Sequence, residues 1–388
     1  MPIQSLASRM DSIQAFHVMS LLARAKQLEQ AGQDIVHMEI GEPDFSTPDP
    51  ITQAGIRALK AGKTQYTPAC GLTELRETIA AWYQSHYQVT IAPERIIITP
   101  GASGALQLAL GVLINPGDEV LLTDPGYPCN RNFVRLFEGQ PVEIPVSAAH
   151  AYQPSLMDIQ NHWCDASKAA LLASPANPTG TLLPHATIRS IHGFIEQQNG
   201  TLLIDEIYQG LVYGQESSTA LSVSDDIWVV NSFSKYFGMT GWRLGWLVAP
   251  EYALDALNRL AQNIFLSPPA PAQYAALAAF NADTLAITEQ RREAFAQRRN
   301  FLLPALRELG FDIAAEPQGA FYIYANTAAF EQDSQALSHL MLEQAGVAFT
   351  PGIDFGTQDA AQHVRFAYTT ALERLEQAVE RLARHLPK

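Results

Sequence analysis

Lysine is scarce in this chain of 388 residues. Only Lys26, Lys60, Lys63, Lys168, Lys235 and Lys388 supply it among 25 basic residues, against 39 acidic ones, for a formal net charge of −14. Such an acidic surface repels phosphate backbones and argues against a nucleic-acid-binding protein. Cysteine is scarcer still. Cys70, Cys129 and Cys164 are scattered and have no CxxC spacing, so neither a disulfide framework nor a metal site is expected, and a reducing compartment fits. No apolar run approaches the ~18 residues that would suggest a membrane span. The segment MPIQSLASRM has no charged stretch followed by an apolar core, so it does not read as a signal peptide. Repeats and low-complexity tracts are lacking as well. The expectation is a cytoplasmic protein with a small-molecule partner, no membrane, no nucleic acid and no metal.

What is present is a globular composition, 47% hydrophobic and 16% charged, long enough for two or three domains at about 100–200 residues each. Helix and strand signals alternate. Ile13 to Ala31 carries apolar residues at helical spacing and stops at Gly32, a common helix C-cap. Leu72–Tyr87 and Ala102–Ile114 read as further helices. Short apolar runs at 95–99, 119–123, 169–173, 201–204, 227–230 and 244–248 read as strands buried on both faces. This pattern predicts an α/β domain with a mostly parallel sheet between helices. After about Glu251 long helical segments take over, followed by short strands near Phe321–Tyr324, Val347–Thr350 and Val364–Tyr368, an α+β segment with its own small sheet.

The strands end in unusual strings. The first leads into Thr99-Pro-Gly-Ala-Ser-Gly-Ala-Leu106, where backbone N–H groups at a helix start suit an anion such as phosphate. The string matches neither GxxxxGK[ST] nor GxGxxG, which weakens nucleotide-binding readings, and a plain tight turn explains it equally well. The next strand ends at Asp124-Pro-Gly-Tyr-Pro128, whose Tyr127 either packs or presents its ring to a flat ligand. Asn177, in Ser174-Pro-Ala-Asn-Pro-Thr-Gly180, can both donate and accept. Asp205 follows the buried run Leu202–Ile204. It is either a helix N-cap or a carboxylate facing a ligand's cation, since a buried carboxylate is costly unpaired. Lys235 sits among Phe233, Tyr236 and Phe237 rather than on a charged face. A desolvated lysine has a lowered pKa and can form a Schiff base. Arg243 suits bidentate phosphate pairing. Arg365 lies inside an apolar strand and needs an anion there, either a structural acid or a substrate carboxylate.

Taken together these strings resemble the class I/II pyridoxal 5′-phosphate-dependent aminotransferases of the aspartate-aminotransferase-like fold type I, from Ile40-Gly-Glu-Pro-Asp-Phe45 to the C-terminal strand. The resemblance implies an α/β large domain with a mostly parallel seven-stranded sheet between helices, residues 47–285. It also implies a smaller α+β domain formed by both chain ends, residues 1–46 and 286–388. It implies that Lys235 holds the cofactor aldehyde as an internal aldimine and then moves the substrate proton. Asp205 pairs with the pyridinium nitrogen, Tyr208 and Asn177 bond the phenolic oxygen, and Tyr127 stacks on the ring. Ala102, Ser103, Ser232, Ser234 and Arg243 hold the phosphate. Arg365 clamps the substrate α-carboxylate beside the Gly41 backbone, with Asn177 also at the substrate. Tyr66 of Gln65-Tyr-Thr-Pro68 reaches the phosphate of a neighbouring subunit, which implies a homodimer with shared sites. Cis peptide bonds are expected before Pro125 and Pro178.

The implied activity is transfer of an amino group from an L-amino acid to a 2-oxo acid by a ping-pong mechanism. A carbon–sulfur β-lyase of the same fold is the alternative. Neither Ala261–Phe265 nor Leu106–Ala109 offers the cation that family branches use for a distal carboxylate, so strict aspartate specificity is not expected. Phe16, Ile40 and Phe265 are candidates for an apolar side-chain pocket.

Overall fold

The computed structural model describes residues 6–387. Along the chain run strands β1 (Val36–Met38), β2 (Ile96–Thr99), β3 (Glu119–Asp124), β4 (Gln140–Pro145), β5 (Ser167–Ala173) and β6 (Thr201–Asp205). They continue with β7 (Trp228–Ser232), β8 (Gly245–Val248), β9 (Tyr322–Asn326), β10 (Val347–Pro351) and β11 (His363–Ala367). Seven of them form one sheet in the order β2-β8-β7-β6-β5-β3-β4. Only β8 is antiparallel, to both β2 and β7. The expected mostly parallel, seven-stranded sheet is therefore present.

Strand periodicity explains its core. Ile96, Ile98, Leu121, Leu172, Leu202 and Ile204 point into one apolar layer. Their alternates Ile97, Val120, Leu122, Leu171 and Leu203 point into the other. Both faces are covered, so these strands read as continuous apolar runs rather than alternating ones. Helices Thr73–Tyr87 and His185–Gln197 supply Leu75, Ile79, Ile188 and Ile191 to the first layer. Helices Gly101–Leu113 and Leu254–Ile264 supply Ala105, Leu108 and Leu257 to the second. Each fully buried Ile or Leu contributes roughly 1.5–3 kcal/mol of transfer free energy.

A second sheet has the order β1-β10-β11-β9. β1, from the N-terminal segment, lies parallel to β10 at Val36↔Val347, while β11 pairs antiparallel with β10 and β9. Helix His17–Gln30 packs on β10. Helices Ser334–Ala345 and Leu372–His385 pack on β10 and on each other. Helix Ala282–Glu308 leads into this part of the chain and packs against Leu372–His385. Both chain ends thus contribute to one small sheet. The N-terminal helix starts at His17 rather than Ile13, with Phe16 as its extended N-cap. β1 and β4 answer to no apolar run singled out in the sequence.

Candidate active site

In a parallel sheet the C-terminal strand ends share one edge, where ligands of open α/β sheets bind. That edge here carries the helix Gly101–Leu113 after β2, Tyr127 after β3, Asn177 after β5, Asp205 ending β6, and Ser234 and Lys235 after β7. The peptide bonds before Pro125 and Pro178 are cis, as expected, and so is the one before Pro175.

Lys235 is only partly exposed. Its Nζ donates to the carbonyl oxygen of Gly41 at 2.7 Å and lies 5.9 Å from the Tyr208 ring centre and 5.8 Å from that of Phe321. Burial lowers its pKa to about 8, against the opposing charge of Glu42. An amine so tuned carries a usable neutral fraction near neutral pH, which a surface lysine lacks.

Arg365 is buried on β11, and among the described residues no carboxylate pairs with it. Nη1 donates to Asn177 Oδ1 at 2.9 Å, and Nη2 to the Glu39 carbonyl at 2.7 Å and to Thr350 Oγ1 at 3.3 Å. The guanidinium lies over the Tyr322 ring at 4.2 Å and near the Phe355 ring at 4.7 Å. Its Nε has no hydrogen-bond partner among the described residues. The structural-acid reading is therefore excluded. A buried cation held by neutral acceptors, with a donor to spare, is built for an incoming anion.

Asp205 is 4% exposed. No helix follows it, so the N-cap alternative fails. Instead its Oδ1 accepts from the Ile207 backbone N–H at 3.1 Å. Burial raises its pKa to about 6, opposed by that N–H and by the charge of Lys235. A buried carboxylate this poorly paired fits a cationic ring nitrogen. Tyr208 is buried beside it, its hydroxyl 2.8 Å from that of Tyr322. Burial first, and the neighbouring Tyr322 next, push the Tyr208 phenol well above its ordinary range. It stays protonated and can donate.

At the other end, Ser232 Oγ donates to Ser234 Oγ at 2.9 Å, and Arg243 donates to the Thr240 carbonyl at 3.0 Å. Two glycines let these pieces meet. A Cβ on Gly101, whose φ is +72°, would stand 2.8 Å from Arg243 Nη2. A Cβ on Gly245 would stand 2.7 Å from the Gly101 carbonyl carbon and 2.8 Å from the Ala102 nitrogen. Only glycine allows the first helical turn, with the Ala102 and Ser103 N–H groups, to seat beside β8 and Arg243. The unsatisfied N–H groups of that turn, hydroxyls and a guanidinium suit a phosphate.

One cavity of about 420 Å³ is lined by Gly41, Tyr127, Asn177, Tyr208, Lys235 and Arg365. That volume lies in the usual small-molecule range of about 300–1,000 Å³. Phe16 and Ile40 line it too. Phe265 does not: it caps the helix Leu254–Ile264 and packs on the second apolar layer, which corrects its proposed place in the pocket. Tyr66 is 81% exposed and does not line the cavity. Sequence reasoning missed Tyr322, Thr350, Phe355 and the helix residues Val18, Met19 and Leu22, all of which line it. Arg365 on β11 pairs directly with Tyr324 on β9, and Tyr322 stands two residues further along β9, on the same face. The alternation Tyr322, Tyr324 on β9 is the signal that could have found it.

Residues 33–382 match the family model for aminotransferase class I and II. This chain belongs to that family. It is 36% identical to the (5-formylfuran-3-yl)methyl phosphate transaminase of Methanocaldococcus jannaschii, over 99% of this chain and 100% of that one. To the valine–pyruvate aminotransferase of Mycobacterium tuberculosis it is 37% identical over 96% of each chain. The crystal structure of Thermus thermophilus aspartate aminotransferase with maleate superposes with a TM-score of 0.93 at 33% identity, covering 99% of this chain and 100% of that one. The protein is a pyridoxal 5′-phosphate-dependent aminotransferase, and the carbon–sulfur lyase alternative is not favoured. The underpaired Asp205 and the glycine-lined phosphate seat fit that cofactor, and the spare donor on Arg365 fits a substrate carboxylate.

Proposed function

We propose that this aminotransferase carries its chemistry on the residues of the one cavity, with Lys235 as the group that holds the cofactor covalently and moves the proton. The observation that carries this reading is the convergence of Lys235, Asn177, Tyr208 and Arg365 on a single lined space. When bound, pyridoxal 5′-phosphate supplies an electron sink for the carbanion at the substrate Cα. Asp205 would hold the ring nitrogen, and Tyr208 and Asn177 the phenolic oxygen. Tyr127 would stack on the ring. Ala102, Ser103, Ser232, Ser234 and Arg243 would hold the phosphate. Arg365 would bind the amino acid's α-carboxylate, beside Gly41 and Asn177, and so orient its Cα–H toward Lys235. Lys235 Nζ would then take that proton and return it elsewhere, a general base whose pKa near 8 suits both directions.

In the exchange, the donor's amino group is replaced by oxygen from water. The acceptor's carbonyl oxygen leaves as water when the amino group is delivered. No external oxidant is needed, and the two half-reactions give ping-pong kinetics. The cofactor-loaded protein given one amino acid and no oxo acid should stop after one turnover, releasing one equivalent of oxo acid. Continuous release of ammonia and pyruvate would mark a lyase instead.

Two domains are proposed. Residues 47–285 surround the larger sheet, and residues 1–46 with 286–388 surround the smaller one. The pairing of β1 with β10 supports the second grouping. Residues 1–5 and 388 of these spans lie outside the described residues. A homodimer is proposed as well, with Tyr66 reaching the phosphate bound in a second copy; its exposure supports a role outside its own chain's packing. Three unpaired cysteines support a cytoplasmic location.

A further inference from the structure

Phe16, the N-cap of helix His17–Gln30, with Val18, Met19 and Leu22 of that helix and Ile40, gives the cavity an apolar wall. Among the lining residues the cations are Lys235 and Arg365 alone, and both have work at the α-carbon and the α-carboxylate. Glu39, Glu42 and Asp354 line the same cavity. The start of helix His17–Gln30 borders it and would be the natural seat for a second carboxylate. That seat is taken: Asp354 Oδ1 accepts from the His17 N–H at 2.7 Å, and Oδ2 from the Val18 N–H at 2.9 Å. Glu39 is held by His37 Nδ1 at 2.6 Å. Glu42 is exposed, and its charge acts on Lys235.

We infer that the enzyme takes monocarboxylic amino acids with bulky apolar side chains, aliphatic or aromatic, and monocarboxylic 2-oxo acids as acceptors, and discriminates against dicarboxylic substrates. The inference rests on the aminotransferase reading above and deepens it. The side chain of the donor packs on the Phe16–Leu22 wall. A distal carboxylate would meet that apolar wall and three acids, with no free cation and no free helix N–H among this chain's own lining residues. The acceptor uses the same site in the reverse half-reaction and meets the same wall. Pyruvate or a branched 2-oxo acid is therefore preferred to 2-oxoglutarate.

Two measurements on the cofactor-loaded protein test this. Single-turnover loss of the cofactor absorbance is followed with leucine, phenylalanine, aspartate and glutamate. Separately, equilibrium binding of the unreactive 3-phenylpropionate is compared with that of succinate. The expected result is a preference of about tenfold or more in kcat/KM for leucine and phenylalanine, and a similar one for 3-phenylpropionate in Kd, within the range hydrophobic pockets achieve. Met19 is 56% exposed and tolerates a longer side chain. Met19→Arg should raise conversion of aspartate at least about fivefold while lowering that of leucine. Equal or better use of aspartate or glutamate, or succinate binding as tightly as 3-phenylpropionate, would overturn the inference. If no amino acid changes the absorbance, the aminotransferase reading falls, and the binding comparison still decides the preference of the pocket.

Discussion

The hydroxyl of Tyr208 lies 2.8 Å from that of Tyr322, and the ring of Tyr322 lies 4.2 Å beneath the Arg365 guanidinium. One tyrosine thus ties the proposed holder of the cofactor's phenolic oxygen to the proposed holder of the substrate carboxylate. Tyr322→Phe removes the hydroxyl link and keeps the ring. A neutral hydrogen bond of this kind is worth about 1 kcal/mol, so kcat should fall roughly three- to tenfold. The pH-dependent absorbance of the loaded enzyme should also shift its midpoint. A variant unchanged in both would show that the contact only packs.

Gly41 presents its carbonyl to Lys235 and its α-carbon to Tyr322. A Cβ placed there would stand 1.9 Å from the Tyr322 hydroxyl, closer than any packing tolerates. Gly41→Ala should therefore displace the loop or Tyr322 and cost well over tenfold in kcat/KM, about 1.4 kcal/mol or more. Steady-state kinetics of the alanine variant, with circular dichroism to confirm the fold, decides this.

Much of this geometry was legible in the sequence because burial and charge conflict at a few positions. Lys235 among aromatic residues and Arg365 inside an apolar strand both violate the rule that lone charges stay in water, and both prove to be underpaired cations of one cavity. The Ile96–Ile98 run announced a strand covered on both faces. β4 was silent because it is an edge strand: Gln140 and Pro145 are exposed, and Pro141 interrupts any apolar pattern. β1 is also an edge strand, only three residues long. Tyr322 was missed because an aromatic in a strand looks like core, and most of its neighbours are core. Phe265 failed for the opposite reason: an apolar residue carries no sign of which surface it packs on. Asp205 lacked a helix after it, which only the three-dimensional turn reveals.

Arg365→Ala should act on carboxylate binding. Charged hydrogen bonds are worth roughly 1.5–3 kcal/mol, so KM for every amino acid should rise roughly 10- to 150-fold. The rate at saturation should fall less. Initial-rate kinetics with amino acids of different side chains checks whether the loss is common to all, as α-carboxylate recognition requires.

Asp205 couples stability to pH. Its pKa in the fold is about 6, raised from 3.8 by burial. Below about pH 3 both folded and unfolded chains hold the proton, and the residue costs nothing. As pH rises toward 6 the unfolded chain releases it first, and the cofactor-free fold loses about 3 kcal/mol relative to an uncharged residue. Asp205→Asn should therefore stabilise the cofactor-free protein at pH 7–8, leave it nearly unchanged at pH 3, and weaken cofactor binding. Urea titrations of the cofactor-free proteins at the two pH values, beside a cofactor titration, test all three.

Lys235 is the residue on which the account depends. The most direct measurement is borohydride reduction of the cofactor-loaded protein followed by mass spectrometry of its peptides. The account predicts one reduced cofactor adduct per chain, on Lys235, and none in Lys235→Ala, which should also lose transamination. An adduct on another lysine, or one that persists in the alanine variant, would contradict it.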